Sequence, residues 1–274
     1  MVMQTKWMPF ASFSLMAEFE PAVGQEYWHC DMKRGFKRVR KKEPLIAALL
    51  ARDTTPQRIG LLAQQGVYDF HQHEQWLDRV DGVEGVATVL QLEQFPTVRD
   101  RVLQILKSYH GKPVLRGKNI LKLNRGDEGI PKPIELHRNN FLFKLFAAID
   151  CIFLEPNGTL HILDLKTGKA DFDPRQGYIY LLAAHNLYPN QKAIASFYNL
   201  ESCEWSAPIT ATEIQLNAIQ AQLARVAQKH ELEKQRYRHS ARFAELFPPN
   251  PDLMRCQHCQ FHQICAFSTY EVSG

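Results

Sequence analysis

Apolar residues recur at three-to-four spacing over residues 44–51, 55–65 and 92–109, which predicts amphipathic helices and makes the first block of the chain mainly helical. Residues 110–130 lose that period and contain Gly111, Gly117, Gly126 and Gly129, the signature of a loop. Two apolar runs follow, 143–154 and 159–166, separated by Pro156-Asn157-Gly158, so two strands joined by a hairpin turn are expected. Asp173 before Pro174 marks a helix start, with the helix running to about His185. Residues 193–199 return as a strand, and a turn leads into 203–205. Thr210-Ala211-Thr212-Glu213 fits a capping box and opens a long helix expected to reach Phe247. Pro248-Pro249-Asn250-Pro251 then forms a rigid connector.

Strands around a crossover helix imply an α/β core. Three blocks of one integrated domain emerge: a helical region over 1–110, a core over 111–206, and a long helix with a cysteine cluster over 207–274. With 274 residues and 45% hydrophobic content, the chain can bury a full core. Its longest apolar runs fall short of a membrane span, so a soluble, cytoplasmic protein is expected.

A net charge of +4 is too modest to point to nucleic acid, but its distribution is uneven. Lys33, Arg34, Lys37, Arg38, Arg40, Lys41 and Lys42 follow one another without an intervening acid. Such a run is either a solvated helix face or a track for phosphates.

The candidate chemistry lies in Ile162-Leu163-Asp164-Leu165-Lys166. Residues two apart on a strand face the same side, so Asp164 and Lys166 point together. A carboxylate can hold a divalent metal while the neighbouring amine orients or deprotonates a water and offsets charge in the transition state. A bare D-x-K carries little weight, and Asp31-Met32-Lys33 is another match. Context decides between them. Asp150 ends the apolar run 145–149 one hairpin arm upstream, where an ionised carboxylate needs a partner. Gln176 and Tyr180 are four apart on the next helix and share a face.

Residues 147–180, AAIDCIFLEPNGTLHILDLKTGKADFDPRQGYIY, resemble the central motifs of the RecB-type branch of the PD-(D/E)XK nucleases. That branch carries an aspartate before a hairpin (here Asp150), D-x-K-T-G after it (Asp164 to Gly168) and Q-x-x-x-Y on the following helix (Gln176 to Tyr180). The resemblance implies a restriction-endonuclease-like α/β fold, a central mixed sheet flanked by helices, and hydrolysis of DNA, exonuclease-like on single-stranded ends. It also implies a histidine ligand on an N-terminal helix after a glycine. Gly66 is followed by His71 and His73, with His71 favoured and the spacing one residue long. Ala148 stands where the family usually has a glycine, and Glu135 resembles an acid on the preceding strand. Asp150, Asp164, the Leu165 carbonyl and His71 would form a site for Mg²⁺ or Mn²⁺.

Six cysteines in a chain of this kind read as metal ligands or buried thiols rather than disulfides. Cys256, Cys259 and Cys265 form C-x2-C-x5-C and lack a fourth ligand. His258 or His262 would complete a Cys₃His zinc site. Cys30 would instead complete a [4Fe-4S] cluster, as in the iron–sulfur members of the branch, which include AddB-type helicase–nucleases and CRISPR-associated exonucleases. Such a cluster would fasten the N-terminal block to the C-terminal helix. Cys151 and Cys203 read as buried thiols in strands. The resemblance leaves open DNA repair, recombination or CRISPR adaptation, with protein partners in such a complex. A second reading keeps the metal cluster but makes the chain a non-catalytic DNA-binding adaptor, and a third is a zinc-stapled protein without a nucleic-acid role.

Overall fold

The computed structural model describes residues 8–138, 141–168, 172–239 and 242–269. In chain order the elements begin with β1 (Phe10–Ser12), α1 (Phe13–Phe19), α2 (Asp31–Arg38), α3 (Pro44–Leu50), α4 (Thr55–Gln72), α5 (Gly82–Val89) and α6 (Pro96–Gly111). The strands β2 (Asn119–Leu123), β3 (Ile134–Arg138), β4 (Phe141–Phe146), β5 (Cys151–Leu154) and β6 (Leu160–Lys166) lead to α7 (Pro174–Leu187). The chain continues through β7 (Ala193–Asn199), β8 (Glu204–Trp205), α8 (Glu213–Arg238), α9 (Phe243–Leu246) and α10 (Leu253–Gln257). The fold is the expected mixed α/β type, its sheets flanked by helices. Among the described residues no helix is long and apolar enough to cross a membrane.

Two compact units divide the chain. One holds Thr54–Leu136 and Leu145–Ala221; the other holds Met1–Asp53, His137–Lys144 and Gln222–Gly274. The first is built on a five-stranded sheet in the order β2-β5-β6-β7-β8. β5 and β6 pair antiparallel across the Pro156–Gly158 turn, where Gly158 adopts the positive φ of 80° that a tight turn requires. β6 and β7 pair in parallel through the crossover helix α7. Asp173 caps α7 by accepting from the Arg175 amide at 3.0 Å, with Pro174 in the first turn as expected.

The alternation along β6 divides its two faces. Leu163 and Leu165, with Cys151, Phe153 and Tyr198, join the large apolar cluster that contains Leu62, Val67 and Phe70 of α4 and Val102, Leu106 and Tyr109 of α6. Asp164 and Lys166 point to the opposite face, which α7 covers: a Cβ at Gly177 would lie 3.7 Å from the Cβ of Ala195 on β7.

Several expectations are corrected. The glycine-rich stretch 110–130 contains a strand, β2, which pairs with β5 despite an irregular register between Ile120 and Lys122. The apolar run 143–154 is two strands of different sheets, because the chain leaves β4 at Phe146 and enters β5 only at Cys151. Leu92–Gln94 is a 3-10 turn, and α6 starts at Pro96 because proline's fixed φ suits the first helical turn. The long helix ends at Arg238, and Phe243–Leu246 is a separate turn. Its capping box uses Thr212 and Gln215, not Thr210 and Glu213: the Thr212 amide donates to Gln215 Oε1 at 2.9 Å and the Gln215 amide to Thr212 Oγ1 at 3.3 Å.

In the other unit, β1 pairs with β4, the Lys144 amide donating to the Pro9 carbonyl at 2.8 Å. The basic run is not unopposed. Arg34 is 4% exposed and pairs with Asp31 at 2.7 Å and with Glu233; Arg38 pairs with Glu18 at 2.5 Å, Lys37 with Glu18 at 3.4 Å, and Arg40 with Glu43 at 2.6 Å. Acids distant in sequence thus take up much of the charge, and a phosphate track over the whole run loses its basis.

Gly66 has a packing role that the spacing argument did not capture. A Cβ there would meet Leu106 Cδ2 at 2.3 Å, so the glycine lets α4 and α6 approach closely. Gly66→Ala should therefore destabilise the protein by about 1–3 kcal/mol in denaturant unfolding. Gly111→Ala, whose added methyl meets open space, should change stability far less. Equal effects of the two substitutions would contradict this packing.

Candidate active site

The hairpin register fixes the centre of the site. Cys151 pairs with Leu163, and extending that register by one position sets Asp150 opposite Asp164. Two acids as cross-strand neighbours repel each other, so the surroundings must supply donors or a cation.

Those donors are specific. The Leu165 amide donates to Asp150 Oδ2 at 2.7 Å, and Gln64 Nε2 donates to Asp150 Oδ1 at 3.1 Å. Asp164 Oδ1 receives Gln176 Nε2 at 3.0 Å and lies 2.5 Å from the Tyr180 hydroxyl. That hydroxyl also lies 2.7 Å from the Ala148 carbonyl and accepts from Gln176 Nε2 at 2.6 Å; its one proton serves either the carbonyl or the carboxylate. Lys166 Nζ donates to Gln176 Oε1 at 3.1 Å and stands 2.6 Å from Asp164 Oδ2. The geometry thus brings Asp150, Asp164, Lys166, Gln176 and Tyr180 together.

The electrostatics follow from burial. Asp164 is 3% exposed. Burial, and then the charge of Asp164, raise the Asp150 carboxyl well above the usual carboxylate range; the Leu165 amide, Lys166 and Gln64 only partly oppose this. Burial and both carboxylates raise Tyr180 so far that it stays a neutral hydroxyl.

These residues fit a hard divalent cation. Although Lys166 stands close, the contact lacks hydrogen-bond alignment, so Asp164 Oδ2 is a buried acceptor without a hydrogen bond. The Leu165 amide points at Asp150, and in a strand the carbonyl of a residue lies on the same edge as its amide. Two carboxylates and that carbonyl are an oxygen set suited to Mg²⁺ or Mn²⁺. Among the described residues no three His, Cys, Asp or Glu side chains group as a ready metal cage; this pair of acids needs a main-chain oxygen and water to complete it.

His71 Nε2 lies 2.6 Å from the Tyr109 hydroxyl, and burial lowers the His71 pKa. His73 stacks near Trp76, their ring centroids 4.6 Å apart. The α4 residue that touches Asp150 is Gln64, seven positions before His71 and so two turns earlier on the same face. Gln64 is the residue that motif reading missed; its only signal is a polar side chain beside the buried series Leu62, Ala63, Val67 and Phe70. Asn124, also missed, tethers the end of β2: its amide donates to the Asp150 carbonyl at 2.8 Å and its Nδ2 to the Ile149 carbonyl at 2.5 Å. Glu135 is exposed on β3. Asp31, of the other D-x-K, is helical and paired with Arg34.

In the other unit, Cys30, Cys256, Cys259 and Cys265 line one pocket with Met32, Phe36 and Phe261. Burial raises the Cys259 and Cys265 thiols, and the charges of the neighbouring cysteines add to it. Cys265 Sγ lies 3.7 Å from Met32 Sδ. His262 also lines the pocket, with Nδ1 2.7 Å from the Cys259 carbonyl. Cys151 is buried in β5 as expected, whereas Cys203 is only half-buried and lies in a turn at φ 57°.

A carboxyl held above its ordinary range costs folding free energy as pH rises, because the unfolded chain ionises first; the loss grows until the folded group ionises too. Asp150→Asn should thus raise the thermal midpoint of the metal-free protein at about pH 9 more than at about pH 5. A gain independent of pH would contradict the buried acid.

A family model described as the PD-(D/E)XK nuclease superfamily matches residues 70–266. A solved structure titled "Crystal structure of SSO0001" is similar at a TM-score of 0.36 and 15% identity, over 90% of this chain and 98% of that one. No curated protein matches. The superfamily match covers most of the chain, including both aspartates, Lys166 and the Q-x-x-x-Y pair, and the chain therefore belongs to the PD-(D/E)XK nuclease superfamily.

Proposed function

We propose that the protein is a divalent-metal-dependent deoxyribonuclease that hydrolyses phosphodiester bonds, exonuclease-like, in single-stranded DNA. The observation that carries this reading is the ion pair of Lys166 with the buried Asp164 at 2.6 Å, beside the half-buried carboxylate of Asp150. Asp150, Asp164 and the Leu165 carbonyl would hold Mg²⁺ or Mn²⁺, which when bound supplies charge neutralisation at the phosphate and a more acidic water. His71, whose Nε2 faces the Tyr109 hydroxyl, has a buried Nδ1 without a hydrogen-bond partner among the described residues, and that nitrogen would join this set.

Lys166 is placed to orient the attacking water, or take its proton, and to offset charge developing on the phosphate oxygens. Gln176 spans Lys166 and Asp164 through its two amide atoms, fixing the distance between cation and carboxylate. Tyr180 stays protonated and anchors Asp164 against the Ala148 carbonyl. These two are positioning residues.

In the second unit we assign the four cysteines to a [4Fe-4S] cluster. The support is that Cys30 shares the pocket with the C-terminal three, and that burial, with the neighbouring cysteines adding to it, raises the Cys259 and Cys265 thiols, a cost that bound iron would offset. With that assignment the chain reads as an iron–sulfur nuclease of the RecB-type branch, acting in repair, recombination or CRISPR adaptation.

End-labelled single-stranded DNA with Mn²⁺ tests the chemistry. The native chain should cut it, chelator should abolish cutting, and Lys166→Ala should slow it by about 10²–10⁴-fold. Equal cutting by Lys166→Ala would remove the assigned mechanism, and absence of cutting by the native chain would favour a DNA-binding adaptor. Anaerobically purified protein should carry iron and sulfide that Cys30→Ser loses. Zinc without iron would overturn the cluster assignment.

A further inference from the structure

The loop that follows Lys166 carries a pair of anion donors that the catalytic residues do not use. Resting on the nuclease reading above, we propose that the Gly168 amide and the Arg101 guanidinium form a seat for the backbone phosphate next to the one being cut, and that the Glu201 carboxylate fills this seat until DNA displaces it.

Strands β6 and β7 run parallel, and ligands of open α/β sheets gather beyond the carboxyl ends of such strands. Lys166 ends β6 there, in register with Asn199 of β7. Gly168 follows Lys166 by two residues, a span of at most about 7 Å, so its amide is within reach of the next phosphate on a strand whose scissile phosphate faces Lys166. Its φ is 85°, and a Cβ added there would meet nothing within 4 Å, so open space stands beside it.

The Gly168 amide donates to Glu201 Oε1 at 2.6 Å, and Nη2 of Arg101, on α6, lies 3.0 Å from each oxygen of the same carboxylate. A main-chain N–H and a guanidinium converging on one anion are the donors that nucleic-acid phosphates take. The carboxylate is held loosely. Arg101 reaches it through a single nitrogen instead of the two-nitrogen fork of a strong pair, and the Arg101 and Glu201 side chains are 54% and 28% exposed.

Nor does the loop depend on that carboxylate. The buried Asn199 donates through Nδ2 to the Gly168 carbonyl at 2.8 Å and accepts from the Glu201 and Ser202 amides at 2.8 and 3.0 Å. The Leu200 amide donates to the Lys166 carbonyl at 2.8 Å. These ties fix both walls of the seat whether or not the Glu201 side chain turns out to solvent. A phosphate tethered to a strand already held at the catalytic centre arrives at high effective concentration, which favours the exchange.

The test is steady-state cutting of end-labelled single-stranded DNA by the full chain with Mn²⁺ at several salt concentrations, with thermal midpoints measured in parallel. Arg101→Ala should raise KM by about three- to tenfold while kcat stays within about twofold, the pattern of lost uniform binding. It should also flatten the log–log salt dependence of kcat/KM by about 0.7, the share of one phosphate contact on a single strand. Arg101→Lys, which keeps the charge, should retain the native salt dependence. Glu201→Gln, which leaves an oxygen for the Gly168 amide but sheds the competing charge, should lower KM. Native cutting with KM and salt slope unchanged in Arg101→Ala would overturn the seat and leave the nuclease reading standing, as would a Glu201→Gln protein whose KM stays level or rises. A lower thermal midpoint and lower kcat in Arg101→Ala, with the native salt slope, would make the contact a structural tie and equally overturn it. No cutting by the native chain at any salt concentration would overturn the nuclease reading itself.

Discussion

Two carboxylates held side by side at the open end of a hairpin are the constraint around which the site is organised. Asp150 and Asp164 repel each other in a buried setting, and the Asp150 carboxyl resists ionisation as a result. Each neighbouring group moderates that repulsion in a different way. The Leu165 amide and Gln64 hold Asp150, Gln176 and Tyr180 hold Asp164, and Lys166 supplies the nearby positive charge. None of these donors removes the excess negative charge that a divalent cation would neutralise. The arrangement therefore costs stability in the fold without a cation, as functional sites commonly do.

The sheet makes this arrangement possible with little backbone strain. One hairpin places the acids opposite each other, the period of two along β6 adds Lys166 to the same face, and the capped helix α7 lays Gln176 and Tyr180 across it. The other face of β6 is apolar and packs on α4 and α6, which fixes the strand and delivers Gln64 to the end of β5. Core packing and site chemistry thus share a strand, with alternate residues serving each.

Much of this was legible because it depends on local rules. The Pro156-Asn157-Gly158 turn, the Asp173-Pro174 cap and the D-x-K alternation each act within a few residues, and the hairpin and α7 appear where these signals put them. What escaped depends on partners distant in sequence. β2 is a short strand with an exposed edge and a glycine-rich approach, so its pairing with β5 leaves little local trace. The break between β4 and β5 reflects two sheets competing for one apolar run. The ion pairs of Arg34 and Arg38 need Glu233 and Glu18, and Gln64 gains its meaning only from Asp150, 86 residues later. Gly66 precedes the histidines in the sequence motif, whereas its place in the structure is a close approach of two helices.

The central claim is that Asp150 and Asp164 share a divalent ion. Crystals of the protein soaked in Mn²⁺ and measured at the manganese absorption edge test it most directly. An anomalous peak is expected about 2.1 Å from a carboxylate oxygen of each aspartate and from the Leu165 carbonyl oxygen. A peak touching only one of the two acids, or a site that stays empty at saturating metal while both remain ordered, would contradict it.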